Sequence, residues 1–110
     1  VYSIERLRDL HEKARANLRP LRIANVHLIL GDGMAGFAKG APYAGIIAAA
    51  GGEAVPDAWI EQLAYGGRLV APIATAAGQQ ALVVIDRSRQ GIQQTILETV
   101  NFVPLKSGVA

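Results

Sequence analysis

Val26-His27-Leu28-Ile29-Leu30-Gly31-Asp32-Gly33 is the stretch whose reading decides the fold. Its first five residues form an apolar run of the length and composition of a buried strand. The two glycines then let the backbone reverse and approach a neighbour closely. In open α/β sheets, ligands bind just outside the carboxyl ends of the strands. Asp32, at such an end, is therefore a candidate acceptor for the amine or hydroxyl donors of a nucleotide-like ligand. The same triplet also reads as a tight turn in which Asp32 bonds its own backbone two residues on. The residues on either side must decide between these.

Upstream, Val1-Tyr2-Ser3-Ile4 is a short β-prone stretch ending at the carboxylate of Glu5. A helix is expected to follow at once, because Leu7, Leu10, Ala14 and Leu18 recur at helical spacing. Arg8/Glu12 and Asp9/Lys13 are i,i+4 pairs on its wet side. Arg19 precedes Pro20, which disfavours continuing the helix. Glu5 thus stands at a strand-to-helix junction, as a ligand acceptor or as a first-turn carboxylate favoured by the helix dipole.

Downstream, Met34 to Gly40 reads as a loop or short helix anchored by Phe37. Gly45 to Ala50 is apolar on both faces and bounded by Pro42 and by Gly51-Gly52, the pattern of a central parallel strand. Pro56 begins a second helix with Val55, Trp59, Ile60 and Leu63 on its buried face, and Gly66-Gly67 are expected to end it. Trp59 reads as a core or sheet-covering aromatic. Arg68 to Ile73 is a strand, irregular or at an edge because Pro72 cannot donate to a ladder. After a flexible Thr75-Ala76-Ala77-Gly78, Gln80–Arg87 and Ile92–Phe102 flank the turn Ser88–Gly91. So short a connection makes them antiparallel. The expected order is β-α-β-loop-β-α-β-β-β, a single three-layer α/β domain over residues 1–110.

Composition excludes several classes. Hydrophobic residues make up 51% of the 110 residues and charged residues 18%. The net charge of +2, without a Lys/Arg cluster or a ladder of aromatics, argues against nucleic acid as a partner. There is no cysteine, hence no disulfide framework and no thiol nucleophile, and a reducing cytoplasm is the expected location. No apolar run approaches a membrane span, and the first residues do not resemble a signal peptide. His11 and His27 lack companions at metal-ligand spacing, so no metal is expected. His11 is expected to face solvent and His27 to be a satisfied core histidine. The serines lack nucleophile-elbow context, and no glycine-lysine phosphate loop is present. No residue is singled out as catalytic.

Taken together, the stretches Val1–Arg6, Leu30–Gly33, Ala41–Tyr43, Gln62–Ile73 and Phe102–Leu105 resemble, in order and spacing, the protein-L-isoaspartate O-methyltransferases. The resemblance implies a Rossmann-like methyltransferase sheet with S-adenosyl-L-methionine across its strand ends. It implies that Glu5 holds the ribose hydroxyls and that Arg6 lies along the adenosine. By the same resemblance Gly31, Asp32 and Gly33 meet the adenine, Asp32 accepting from its amino group and the Gly33 N–H meeting a ring nitrogen. Lys106, after Val103-Pro104-Leu105, lies near cofactor and substrate. The implied reaction is methylation of the α-carboxylate of isoaspartyl residues in damaged proteins, which are then the partners. A carboxylate oxygen is already a nucleophile, so alignment matters more than a strong base. Other acceptors on the same fold, or a non-catalytic interaction module that retains it, are the alternatives.

Two departures from the family stand out: Ala44-Gly45 where an Asp usually follows the aromatic residue, and Ala49-Ala50-Gly51-Gly52 where Thr-Ala-Ala and prolines are usual. The resemblance also places the family's glycine-rich cofactor loop and central first strand ahead of Val1. The chain is therefore expected to be the C-terminal part of one methyltransferase domain. Its Val1–Ile4 and Gly45–Ala50 strands should expose open edges, prone to homo-oligomer formation.

Overall fold

The computed structural model describes residues 1–110. The elements are β1 (Tyr2–Glu5), α1 (Arg8–Leu18), β2 (His27–Leu30), β3 (Tyr43–Ile47), α2 (Asp57–Gln62), β4 (Leu63–Ala76), β5 (Gln79–Ser88) and β6 (Gly91–Val100). This is the order expected from the sequence. The strands form two separate sheets, β1-β2 and β3-β4-β5-β6.

β1 and β2 are parallel, in register from Tyr2 opposite His27 to Glu5 opposite Leu30. Parallel neighbours need a crossover, which α1 supplies. The C-terminal ends of both strands therefore leave the sheet on the same side. β3 runs parallel to β4, and β4, β5 and β6 form an antiparallel meander.

The core lies under the meander. Leu69 and Ala71 of β4 face Ile85 and Val83 of β5 as directly paired residues, all four buried. Their spacing of two puts them on one face of the sheet. Trp59 of α2 and Leu63 complete the cluster, with Ile46, Val55, Ile60 and Leu105 packed at its margin. β1 and β2 contribute no residue to it.

Several expectations are corrected. α2 stops at Gln62, and the glycines beyond it belong to β4 rather than to a helix cap. Between the pairs Tyr43–Leu63 and Gly45–Arg68 the longer strand carries extra residues, a bulge that needs Gly66 at φ +83°. A Cβ at Gly67 would lie 2.8 Å from the Ala64 carbonyl oxygen. The glycine pair thus bends a strand instead of ending a helix. Thr75 and Ala76 lie within β4, Ala76 paired with Gln79, so the expected flexible segment is reduced to a tight turn at Ala77-Gly78.

Pro72 is buried inside β4, opposite Leu82. The Val70 carbonyl accepts from Ala48 N–H and the Ala74 N–H donates to the Gly52 carbonyl. The nitrogen of Pro72 lies between them on the side away from β5. β3 has already ended there, so the missing N–H costs no rung. The strand expected at Gly45–Ala50 is regular only over Tyr43–Ile47 and bounds its sheet instead of lying inside it.

The two histidines exchange roles. His11 is buried, at 8% exposure, while His27 is exposed and stacks on Tyr2 at 5.0 Å. Leu10, placed on the buried stripe by its spacing, is half exposed and lines a cleft. The covered face of α1 is Leu7-His11-Ala14-Leu18, shifted by one position. The ion pair on α1 is Glu12 with Arg15 at 3.7 Å, not the two expected pairs.

Candidate functional site

A cleft of about 960 Å³ separates the two sheets, lined on one side by Val1–Glu5 of the β1 segment and on the other by Gly45–Ala50. The edges of β1 and β3 that carry no partner strand face it. Arg6, Gly33, Trp59, Gln62 and Val103–Lys106 close its remaining sides. At its base Tyr2 packs on Phe37 at 5.1 Å and edge-on to Tyr43 at 6.0 Å. The Tyr43 hydroxyl donates to the Phe37 carbonyl, and burial beside Tyr2 pushes that phenol above its ordinary range.

Glu5 ends β1. Its Oε2 accepts the Leu7 N–H at 3.1 Å, and its backbone carbonyl accepts the Gly31 N–H at 3.0 Å. The second bond ties the end of β1 directly to the glycine turn after β2. Asp32 Oδ1 accepts the Met34 N–H at 2.9 Å, capping the 3-10 turn Gly33–Ala35. The turn reading of Asp32 is therefore real, yet it occupies one carboxylate oxygen. Oδ2 of Asp32 and Oε1 of Glu5 take part in no hydrogen bond within the chain. A single residue can hold its own turn and still keep a free acceptor.

The turn is itself braced by α2. Trp59 Nε1 donates to the Gly33 carbonyl at 2.7 Å. Gln62 accepts the Phe37 N–H at 2.8 Å and donates to the Ala35 carbonyl at 3.0 Å. α2 is in turn held by Arg87 of β5, whose Nη1 donates to the carbonyls of Ile60, Glu61 and Leu63 at 2.7, 3.1 and 2.8 Å. These bonds span 24 to 27 residues of sequence, and no local pattern foretells them. Reading Trp59 as a core aromatic found its ring and missed its N–H.

The C-terminal segment reaches the cleft through backbone pairing. Gly51 N–H donates to the Val103 carbonyl and Leu105 N–H to the Gly51 carbonyl, at 2.7 and 2.9 Å. Lys106 follows directly, exposed on the cleft wall. Arg6 Nε donates to the Gly108 carbonyl at 3.2 Å, so the last residues run beside the end of β1. Of the six residues singled out from the sequence, Glu5, Arg6, Gly33 and Lys106 line one cleft. Gly31 and Asp32 stand next to it at the adjoining strand end, without lining it.

No helix of the chain is long and apolar enough to cross a membrane. The family model described as protein-L-isoaspartate(D-aspartate) O-methyltransferase matches residues 1–110. A protein-L-isoaspartate O-methyltransferase of Methylibium petroleiphilum is 59% identical over 98% of this chain, and one of Ralstonia nicotianae is 58% identical over the same share. The chain spans only 41% and 35% of the length of those two relatives. Among solved structures, a protein-L-isoaspartate O-methyltransferase superposes with a TM-score of 0.90 at 28% identity, over 99% of this chain and 35% of its own. A putative one from Plasmodium falciparum, in complex with S-adenosyl-L-homocysteine, gives 0.84 at 26% identity over 96% of this chain and 52% of its own. The α/β fold and these matches agree, and the chain belongs to the protein-L-isoaspartate(D-aspartate) O-methyltransferase family.

Proposed function

We propose that the protein to which this chain contributes methylates the α-carboxylate of L-isoaspartyl residues in damaged proteins, with S-adenosyl-L-methionine as donor. The observation that carries this reading is the pair of carboxylate oxygens without a partner in the chain, Glu5 Oε1 and Asp32 Oδ2, at the shared end of β1 and β2. This pair of acceptors suits an adenosine, which presents two ribose hydroxyls and one amino group as donors. Glu5 would take the hydroxyls and Asp32 the amino group. The Gly33 N–H, first in its 3-10 turn and so without a partner in that turn, would meet a ring nitrogen. Arg6 and Lys106 would carry the positive charge that an acidic acceptor requires at the cleft wall. The bound cofactor supplies an electrophilic sulfonium methyl; what the chain adds is position.

The test is calorimetric titration of S-adenosyl-L-homocysteine into the protein and its Asp32→Ala variant. A charge-assisted hydrogen bond of roughly 1.5–3 kcal/mol predicts an affinity lower by about tenfold to a hundredfold. Unchanged affinity would show that Asp32 serves its turn alone.

A further inference from the structure

We infer that Gln62 is a positioning residue for the adenine end of the site, acting through the Asp32 turn, with Trp59 as its companion. The inference rests on the proposed reading of Asp32 and extends it to residues that touch no ligand atom in that reading.

The geometry is that of a clamp. The side-chain amide of Gln62 accepts from Phe37 N–H and donates to the Ala35 carbonyl, so it spans the residue between them as a neighbouring strand would. That residue is Gly36, at φ +64°. A Cβ on Gly36 would lie 2.3 Å from Gln62 Oε1 and 2.8 Å from its Cδ. Only glycine tolerates both that backbone conformation and the amide lying against it. Gly36 and Gln62 are thus a matched pair. Two residues before Ala35, the Trp59 indole holds the Gly33 carbonyl.

The turn is therefore pinned from α2 at Gly33, Ala35 and Phe37, on every second residue. Within this frame the Met34 N–H is presented to Asp32 Oδ1, which fixes the carboxylate plane and the direction of Oδ2. The free oxygen is aimed by a helix that lies 25 to 27 residues further along the chain. Without the clamp, residues 33–36 would retain only their short-range bonds, Ala35 N–H to the Asp32 carbonyl, Gly36 N–H to the Gly33 carbonyl and Met34 N–H to Asp32 Oδ1. Those bonds close the turn but do not orient it against β2.

The experiment is a double-mutant cycle with S-adenosyl-L-homocysteine as the titrated probe. Gln62→Met keeps the length of the side chain and removes both hydrogen bonds; Asp32→Ala removes the group it positions. Gln62→Met is expected to weaken binding by about tenfold. It should raise KM for the methyl donor while leaving kcat at saturation within about twofold of the parent. The double variant should bind no more weakly than Asp32→Ala alone, because the clamp has nothing left to aim. Trp59→Phe, which keeps the ring and removes only the N–H, should repeat the pattern more mildly and guards against misfolding of the methionine variant. Additive losses in the double variant, or unchanged affinity in both Gln62→Met and Trp59→Phe, would overturn the clamp while leaving the role of Asp32 standing. If Asp32→Ala itself leaves affinity unchanged, the adenine reading fails and the clamp fails with it.

Discussion

Replacing Arg87 by Met removes the guanidinium that holds α2 to β5 while keeping most of its aliphatic length. Two of its three carbonyl partners, Ile60 and Leu63, are partly buried, at 2.7 and 2.8 Å; the third, Glu61, is exposed. A bond from a charged donor contributes about 1.5–3 kcal/mol when water cannot substitute for it. Partial burial favours the lower figure, so the two covered carbonyls together represent about 3 kcal/mol. The guanidinium also lies 4.8 Å from the Tyr65 ring centroid, which adds about 0.5 kcal/mol at an exposed site. Some of the total returns as water reaches the carbonyls, leaving an expected loss of roughly 2–3 kcal/mol. Urea unfolding followed by circular dichroism measures it, with the slope of the transition unchanged. Arg87→Lys should recover less than half, because one ammonium on a flexible stem does not reproduce the planar fork. A loss for Arg87→Met below about 1 kcal/mol would refute the assignment of these bonds as the anchor of α2.

Further outcomes follow from the same structure. Leu69, fully buried opposite Ile85, should cost about 2–5 kcal/mol on truncation to Ala, read by the same urea titration. Tyr43 has a phenol whose folded pKa is raised above 10.0 by burial and by Tyr2. Its contribution to stability is complete below the unfolded value and is lost as pH rises through the folded one. The stability of Tyr43→Phe should therefore fall less steeply than the parent's above about pH 10, in unfolding measured from about pH 8 to about pH 11. Ile47 is 84% exposed on a strand with one open edge. The isolated 110-residue chain should associate in sedimentation, and Ile47→Lys should shift it toward monomer. A parent chain that sediments as a monomer at every concentration would argue that the open edges are already protected.

The sequence carried the element order and the strand ends because those depend on short patterns. The run Val26–Leu30 before Gly31, and the alternation through β5, are legible within a few residues. What failed was the assignment of faces where two packing surfaces compete. Periodicity placed Leu10 inside and His11 outside; the cleft between the sheets exposes Leu10, and His11 takes the covered position. The Gly66-Gly67 pair, expected to end a helix, lies instead in a strand bulge set by the pairing of β4 with β3. For the site, the residue types at the strand ends were legible. The brace from Trp59, Gln62 and Arg87 was not, since its bonds join segments that are remote in the chain.

The uneven placement of the core has a consequence for the order in which the molecule comes apart. Every residue of the buried cluster belongs to α2, β4 or β5, and none to β1 or β2. Amide protons of the meander should exchange with solvent only on global opening, while those of β1 should exchange through cheap local excursions. The two carboxylates of the site thus stand on unequal ground. Asp32 is moored through α2 to the slowest-opening part of the chain, whereas Glu5 depends on a two-stranded ribbon. A ligand that spans both should slow exchange most at β1, because binding only the closed form shifts the opening equilibrium of the less stable side. The ribose end of the site would then be the part completed by its ligand, and the adenine end the part that waits for it.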